Sequence, residues 1–140
     1  MSTRGEFIFK SYDRYAVIYH HYDMYPEGAF KTLVEFLGEE SIGKIFNKAA
    51  DQDKIYFGPS ANPDDWNDYA DLEWVYFIDL EKKTVTAYRP LNDEGWAIGS
   101  AADALNRPAI NLKEYRRAKS EEYRKAKAAL NALGFKVKNK

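Results

Sequence analysis

The chain has 140 residues, 21 Lys and Arg against 22 Asp and Glu, no cysteine and 45% hydrophobic residues, enough for one domain core and too little for two. The missing cysteine excludes a disulfide framework, thiolate metal centres and a cysteine nucleophile. No run reaches the ~18 apolar residues of a membrane span, and residues 1–6 lack an apolar leader, so a cytoplasmic protein without membrane contact or cofactor is expected.

In chain order, 6–11 and 15–22 are rich in aromatic and β-branched residues and flank the polar Tyr12-Asp13-Arg14, which predicts an antiparallel hairpin over about 6–22. Pro26 ends its second strand. Phe30, Leu33, Val34 and Leu37 then recur at i, i+3, i+4 and i+7, and Ile42, Ile45, Phe46 and Ala49 continue the pattern beyond Gly38 and Ser41. Helix is therefore expected within about 28–50. After the short apolar piece Ile55-Tyr56-Phe57, two prolines and a run of Asn and Asp mark 58–68 as a long loop.

A second hairpin is predicted over about 72–89, with Glu81-Lys82-Lys83 as its turn. Past a loop carrying Gly95 and Trp96, Ser100 with Asp103 three residues later reads as a capping box on a short helix that stops before Pro108. A terminal helix is predicted over about 112–133, opened by Asn111 with Glu114 and closed by Gly134. Its apolar stripe contains Leu112, Tyr115, Ala118, Tyr123, Ala126 and Leu130. The expected fold is a single α+β domain, an antiparallel sheet of two hairpins packed against the 28–50 and 112–133 helices.

Charge is segregated although the total is near zero. Residues 51–81 hold nine acidic residues and one lysine, whereas 113–140 hold ten basic and three acidic residues. On a continuous terminal helix Lys113, Arg116, Arg117, Arg124 and Lys127 would share about 100° of arc beside Tyr115 and Tyr123. Such a ridge suits a phosphate-bearing ligand, with bases stacked on the tyrosines. Two plainer readings compete with it: a solvated charged face, or a ridge neutralised by the chain's own acidic loop at 62–71. A general nucleic-acid module is not favoured, because such modules carry a domain-wide basic excess.

Eleven Tyr, eight Phe and three Trp exceed what a core of this size is expected to hide, so some of these rings should face a partner. A surface this aromatic also favours a homo-oligomer. The two histidines, His20 and His21, are adjacent, so on a strand they point to opposite faces and cannot chelate one metal together. No metal site is expected. His21 and Asp23 would share a face if the strand continued, with Tyr19 on the same side and Tyr25 nearby, and a carboxylate beside an imidazole is the arrangement of an acid–base pair. Asp23 as a turn-forming residue and His21 as a sheet residue is the competing reading. No nucleophile elbow or phosphate loop is present in the sequence.

The stretch Ile18-Tyr19-His20-His21-Tyr22-Asp23-Met24-Tyr25-Pro26-Glu27-Gly28 resembles a group of small uncharacterised phage and prophage proteins with a Tyr-Arg-His-Trp-Asp-Gly-Tyr-Pro-Glu-Gly pattern. Residues 72–80 resemble a later acidic and hydrophobic strand of the same group. His21, Asp23, Tyr25 and Pro26 fit the pattern, whereas His20, Tyr22 and Met24 replace Arg, Trp and Gly. If the turn needs a positive φ where the group has Gly, Met24 would strain it.

The resemblance implies a setting in which small phage proteins block host defences by binding. The expected function is therefore that of a non-enzymatic protein sequestering a host protein or a nucleotide-like signal, with Tyr19, Tyr25, Arg14, Arg89, Arg116, Arg117 and Arg124 as contact residues. The alternatives are a hydrolase using His21 and Asp23 on a phosphorylated or glycosidic substrate near Arg14 or Arg89, and an acidic mimic of nucleic acid.

Overall fold

The computed structural model describes residues 3–12, 14–39, 44–45, 55–57, 71–91 and 94–138. The first hairpin joins β1 (Gly5–Ser11) to β2 (Arg14–His20), pairing Gly5 with His20 at one end and Ser11 with Arg14 at the other. Helix α1 (Pro26–Glu39) follows. Pro26 sits in its first turn, where the missing N–H has no intrahelical partner to lose, and the Tyr25 carbonyl receives the Ala29 amide at 2.8 Å. Beyond Glu39 only Lys44 and Ile45 of the predicted 28–50 region are described, and both are helical.

The strand β3 (Ile55–Phe57) pairs with β2. The second hairpin joins β4 (Trp74–Asp79) to β5 (Thr84–Tyr88), its turn held by Asp79 Oδ1, which accepts the Glu81 and Lys82 amides at 3.1 and 3.0 Å. Helix α2 (Ala101–Leu105) opens on the predicted capping box: the Asp103 amide donates to Ser100 Oγ and the Ser100 amide to Asp103 Oδ2. The chain then forms α3 (Glu121–Ala132) and the short edge strand β6 (Lys136–Lys138). Gly134, at φ 90°, ends α3 as predicted and lets the Phe135 amide return to the Leu130 carbonyl at 3.1 Å.

These elements make an α+β domain with a six-stranded sheet in the order β3-β2-β1-β4-β5-β6. The sheet is mixed, which corrects the expected antiparallel one: β1 pairs in parallel with β4, and β5 with β6. Pairing the first strands of the two hairpins side by side puts β1 and β4 at the centre, where both faces must be covered. Phe7, Ile8 and Phe9 are accordingly all fully buried in succession. On one face Phe7, Phe9, Tyr76 and Ile78 meet Phe30, Leu33 and Phe36 of α1 and Tyr123 and Leu130 of α3. On the other, Ile8, Val17 and Val75 meet Ala101 and Ala104 of α2.

The terminal helix is also shorter than predicted. Residues 112–120 form a series of turns in which the amides of Glu114, Tyr115, Ala118 and Ser120 return three residues to Asn111, Leu112, Tyr115 and Arg117. Asn111 uses its side chain to accept the Lys113 amide at 3.1 Å, an Asx turn, and the helix starts where Ser120 Oγ caps the Tyr123 amide at 3.2 Å. A cap at Ser120 places Tyr115 over the sheet, edge-on to Trp74 with ring centroids 5.9 Å apart. Lys113, Arg116 and Arg117 therefore do not continue a ridge with Arg124 and Lys127.

Candidate cleft beside the strand-to-helix corner

Strand β2 ends at His20, and the next five residues turn the chain into α1. Asp23 carries this turn in the left-handed region at φ 55°, a conformation that Asp tolerates better than most residues. Met24 is fully buried and receives the buried Tyr76 hydroxyl on its carbonyl at 2.6 Å. The strain expected at Met24 is therefore absent, since the positive φ falls on Asp23. The corner is tight elsewhere: a Cβ on Gly28 would lie 2.3 Å from the Asp23 carbonyl oxygen.

The turn divides the predicted residues into two groups. Tyr19 packs against the α2 side of the sheet, and its hydroxyl is 2.9 Å from His21 Nδ1. The His21 ring in turn meets Tyr22 edge-on at 4.8 Å and 88°, which holds a tyrosine that is 61% exposed. His20, Asp23 and Tyr25 instead line a cleft of about 820 Å³ between α1 and α3, with Glu27, Lys31, Glu35, Arg117, Glu122 and Lys125 in its walls. Among the described residues no hydrogen bond or ion pair links His21 to Asp23. The shared face expected for this pair fails because the strand stops at His20.

His20, rather than His21, is the histidine of the cleft. Its Nδ1 lies 2.8 Å from the Tyr22 carbonyl, and because a carbonyl only accepts, Nδ1 carries the proton. In the neutral ring Nε2 is then an acceptor. The charged centre of the cleft is Glu27, a buried carboxylate in the first turn of α1. It accepts the Tyr115 hydroxyl at 2.8 Å on Oε1, and Arg117 Nη1 approaches Oε2 at 3.6 Å. Sequence reasoning passed over Glu27 because an acidic residue at a helix start is ordinarily read as a partner of the helix dipole.

The tyrosines of the C-terminal segment are not stacking platforms. Tyr115 and Tyr123 join Trp74, Tyr76 and Phe30 in one aromatic cluster, with successive centroids about 6 Å apart. Burial, reinforced by the Glu27 carboxylate, pushes the Tyr123 hydroxyl up to about 12. Tyr115 is raised further, by burial and by its hydrogen bond to Glu27, and Tyr76 by burial above all. Among the described residues the mostly exposed aromatic rings are those of Tyr12, Tyr22 and Trp96.

The remaining predicted cations are dispersed. Arg14 opens β2, at the opposite end of the strand from His20, about 20 Å away at the usual rise per residue. It cannot share a site with His21. Arg89 lies 4.6 Å over the Trp74 ring and donates Nε to the Glu73 carbonyl at 3.1 Å, so it is fixed as part of the aromatic cluster. Arg116 and Arg124 are exposed and hold no ion pair among the described residues. The acidic loop expected to neutralise them falls, apart from Asp71, outside the described residues; Asp71 pairs with Arg4 at 3.5 Å. Among the described residues no three His, Asp or Glu side chains are grouped to hold a metal, and no helix is long and apolar enough to cross a membrane.

Comparison with known protein families, curated proteins and solved structures finds no match.

Proposed function

We propose that this chain is a non-enzymatic binding protein whose contact surface is the β2-to-α1 corner, and that its partner is a host protein. The observation carrying this reading is the Tyr19-His21-Tyr22 arrangement. A tyrosine that is mostly exposed is held in place by a histidine that is itself hydrogen-bonded from the sheet. A ring fixed before contact loses little further freedom on binding, which is why rigid tyrosines serve as interface anchors.

The setting follows from the resemblance over Tyr19–Gly28: a phage protein that counters host defence by occupying a host factor. A nucleotide signal is the weaker ligand for this corner. Within the cleft Asp23, Glu35 and Glu122 outnumber Lys31 and Lys125 once Arg117 is set against Glu27.

The test is retention of host proteins from a bacterial lysate by the wild type and by Tyr22→Ser and His21→Ala. The expected result is one host protein held stoichiometrically by the wild type and lost from both variants, with unchanged thermal midpoints. Loss of an anchor tyrosine corresponds to about a 30-fold weakening. Equal retention by all three proteins would refute the reading.

A further inference from the structure

The walls of the α1/α3 cleft contain a guanidinium that belongs to the protein itself. Arg117 reaches Glu27 Oε2 at 3.6 Å, beyond hydrogen-bond distance, while its own side chain stays 56% exposed and that of Glu27 is only 6% exposed. The buried carboxylate is thus compensated by a loosely held partner that comes from the 112–120 turns. Lys125, also in the wall, pairs with Glu121 at 3.0 Å. The walls carry Asp23, Glu27, Glu35 and Glu122 against Lys31, Arg117 and Lys125, so the acidic residues exceed the basic ones by one. His20 also lines the cleft, with its Nδ1 proton committed to the Tyr22 carbonyl.

We infer that the cleft receives an arginine side chain of the partner protein, and that Arg117 is a stand-in which this arginine displaces from Glu27. The inference rests on the reading of the adjoining corner as a binding surface and supplies the chemistry of what enters beside it. Three features select a guanidinium. Glu27 Oε1 is already taken by the Tyr115 hydroxyl, leaving Oε2 for an incoming donor. The planar fork of arginine has further donors for a second acceptor in the wall, which an ammonium can match less well. The wall carboxylates outnumber the wall cations, which favours a cation over a phosphate. Displacement also spares the cost of uncovering Glu27, because one guanidinium replaces another and the freed Arg117 moves into water.

The test uses the isotopically labelled full chain, with amide shifts followed by NMR. The probes are N-acetylarginine methylamide, its uncharged citrulline counterpart and inorganic phosphate. Saturable shifts at Gly28, Lys31 and Ala126 are expected with the arginine probe alone. Arg117→Ala should bind it about fivefold tighter, as when the open form is otherwise populated about one-fifth of the time. Glu27→Gln, which retains an acceptor for Tyr115, should bind at least about tenfold more weakly, the value of one charge-assisted contact.

Equal binding of the arginine and citrulline probes, preferential binding of phosphate, weaker arginine binding by Arg117→Ala, or no saturable shift in the wild type would each overturn the inference. If Glu27→Gln fails to fold, the Arg117→Ala and citrulline comparisons still decide. The two readings fail separately. A silent arginine probe with host-protein retention that depends on Tyr22 removes the stand-in and leaves the corner, whereas arginine binding without such retention removes the corner's role.

Discussion

The same substitution at two glycines of α1 should have opposite effects. Adding a Cβ at Gly28 places it 2.3 Å from the Asp23 carbonyl oxygen and 3.0 Å from the carbonyl carbon, where ordinary contact begins at 3.4 Å. Backbone must therefore move by about 1 Å, at a corner already carrying a left-handed residue, at an overpacking cost of ~1–3 kcal/mol. Alanine gains at most ~1 kcal/mol over glycine in a helix, so Gly28→Ala should lose about 1–2 kcal/mol. Among the described residues, the Cβ added at Gly38 meets only Leu133 Cδ1, at 3.8 Å. There the helix preference is unopposed, and Gly38→Ala should gain about 0.5–1 kcal/mol.

Urea unfolding of both variants, read as shifts of midpoint at unchanged slope, measures the two signs. Because Asp23 and the Tyr22 carbonyl belong to the turn that Gly28 abuts, Gly28→Ala should also disturb the His20 and Tyr22 resonances, whereas Gly38→Ala should leave them in place. A Gly28→Ala protein as stable as the wild type would refute the tight corner.

Other consequences are equally direct. Lys83 adopts φ 55° in the β4–β5 turn; Lys83→Gly should stabilise by about 0.5–1 kcal/mol in urea unfolding, because relief of the left-handed strain outweighs the added freedom of the unfolded chain. Arg89→Lys should cost about 1 kcal/mol by the same assay, since a lysine keeps the charge over Trp74 and loses the Nε donor to Glu73.

The pH dependence has a definite sign. Tyr76, Tyr115 and Tyr123 hold their protons more tightly folded than unfolded, where tyrosine titrates near 10. Stability should thus be complete below about pH 10 and fall as pH rises toward about 12, with tyrosinate absorbance from these rings arriving together with unfolding. Smooth ionisation of all tyrosines near pH 10 in a still folded protein would contradict their burial.

Features fixed by neighbouring residues were legible in the sequence. The two hairpins, the Ser100–Asp103 capping box and the Gly134 stop each depend on a few adjacent positions. What escaped depends on competition or on distant pairing. Asn111 with Glu114 has the spacing of a helix start, yet Asn111 spends its side chain on an Asx turn and Ser120 takes the cap. The parallel meeting of β1 and β4 leaves no local trace, because both orders of two hairpins bury the same residues. The histidines face apart as expected, but the residue that ends the strand decides which of them lines the cleft with Asp23. Some of the aromatic rings are expected to face outward, and Tyr12, Tyr22 and Trp96 do, but Trp74, Tyr76, Tyr115 and Tyr123 form a cluster across elements far apart in the chain.

The central place of β1 has a kinetic consequence. Its hairpin neighbour forms within a few residues, but its other side meets β4 only across a separation of 69 positions, as Arg4 meets Glu73. During synthesis a row of open amides and carbonyls beside Phe7, Ile8 and Phe9 must wait for that strand. In this interval two nascent chains could exchange β4, so crowding of unfinished copies, more than the stability of the finished domain, should limit soluble yield.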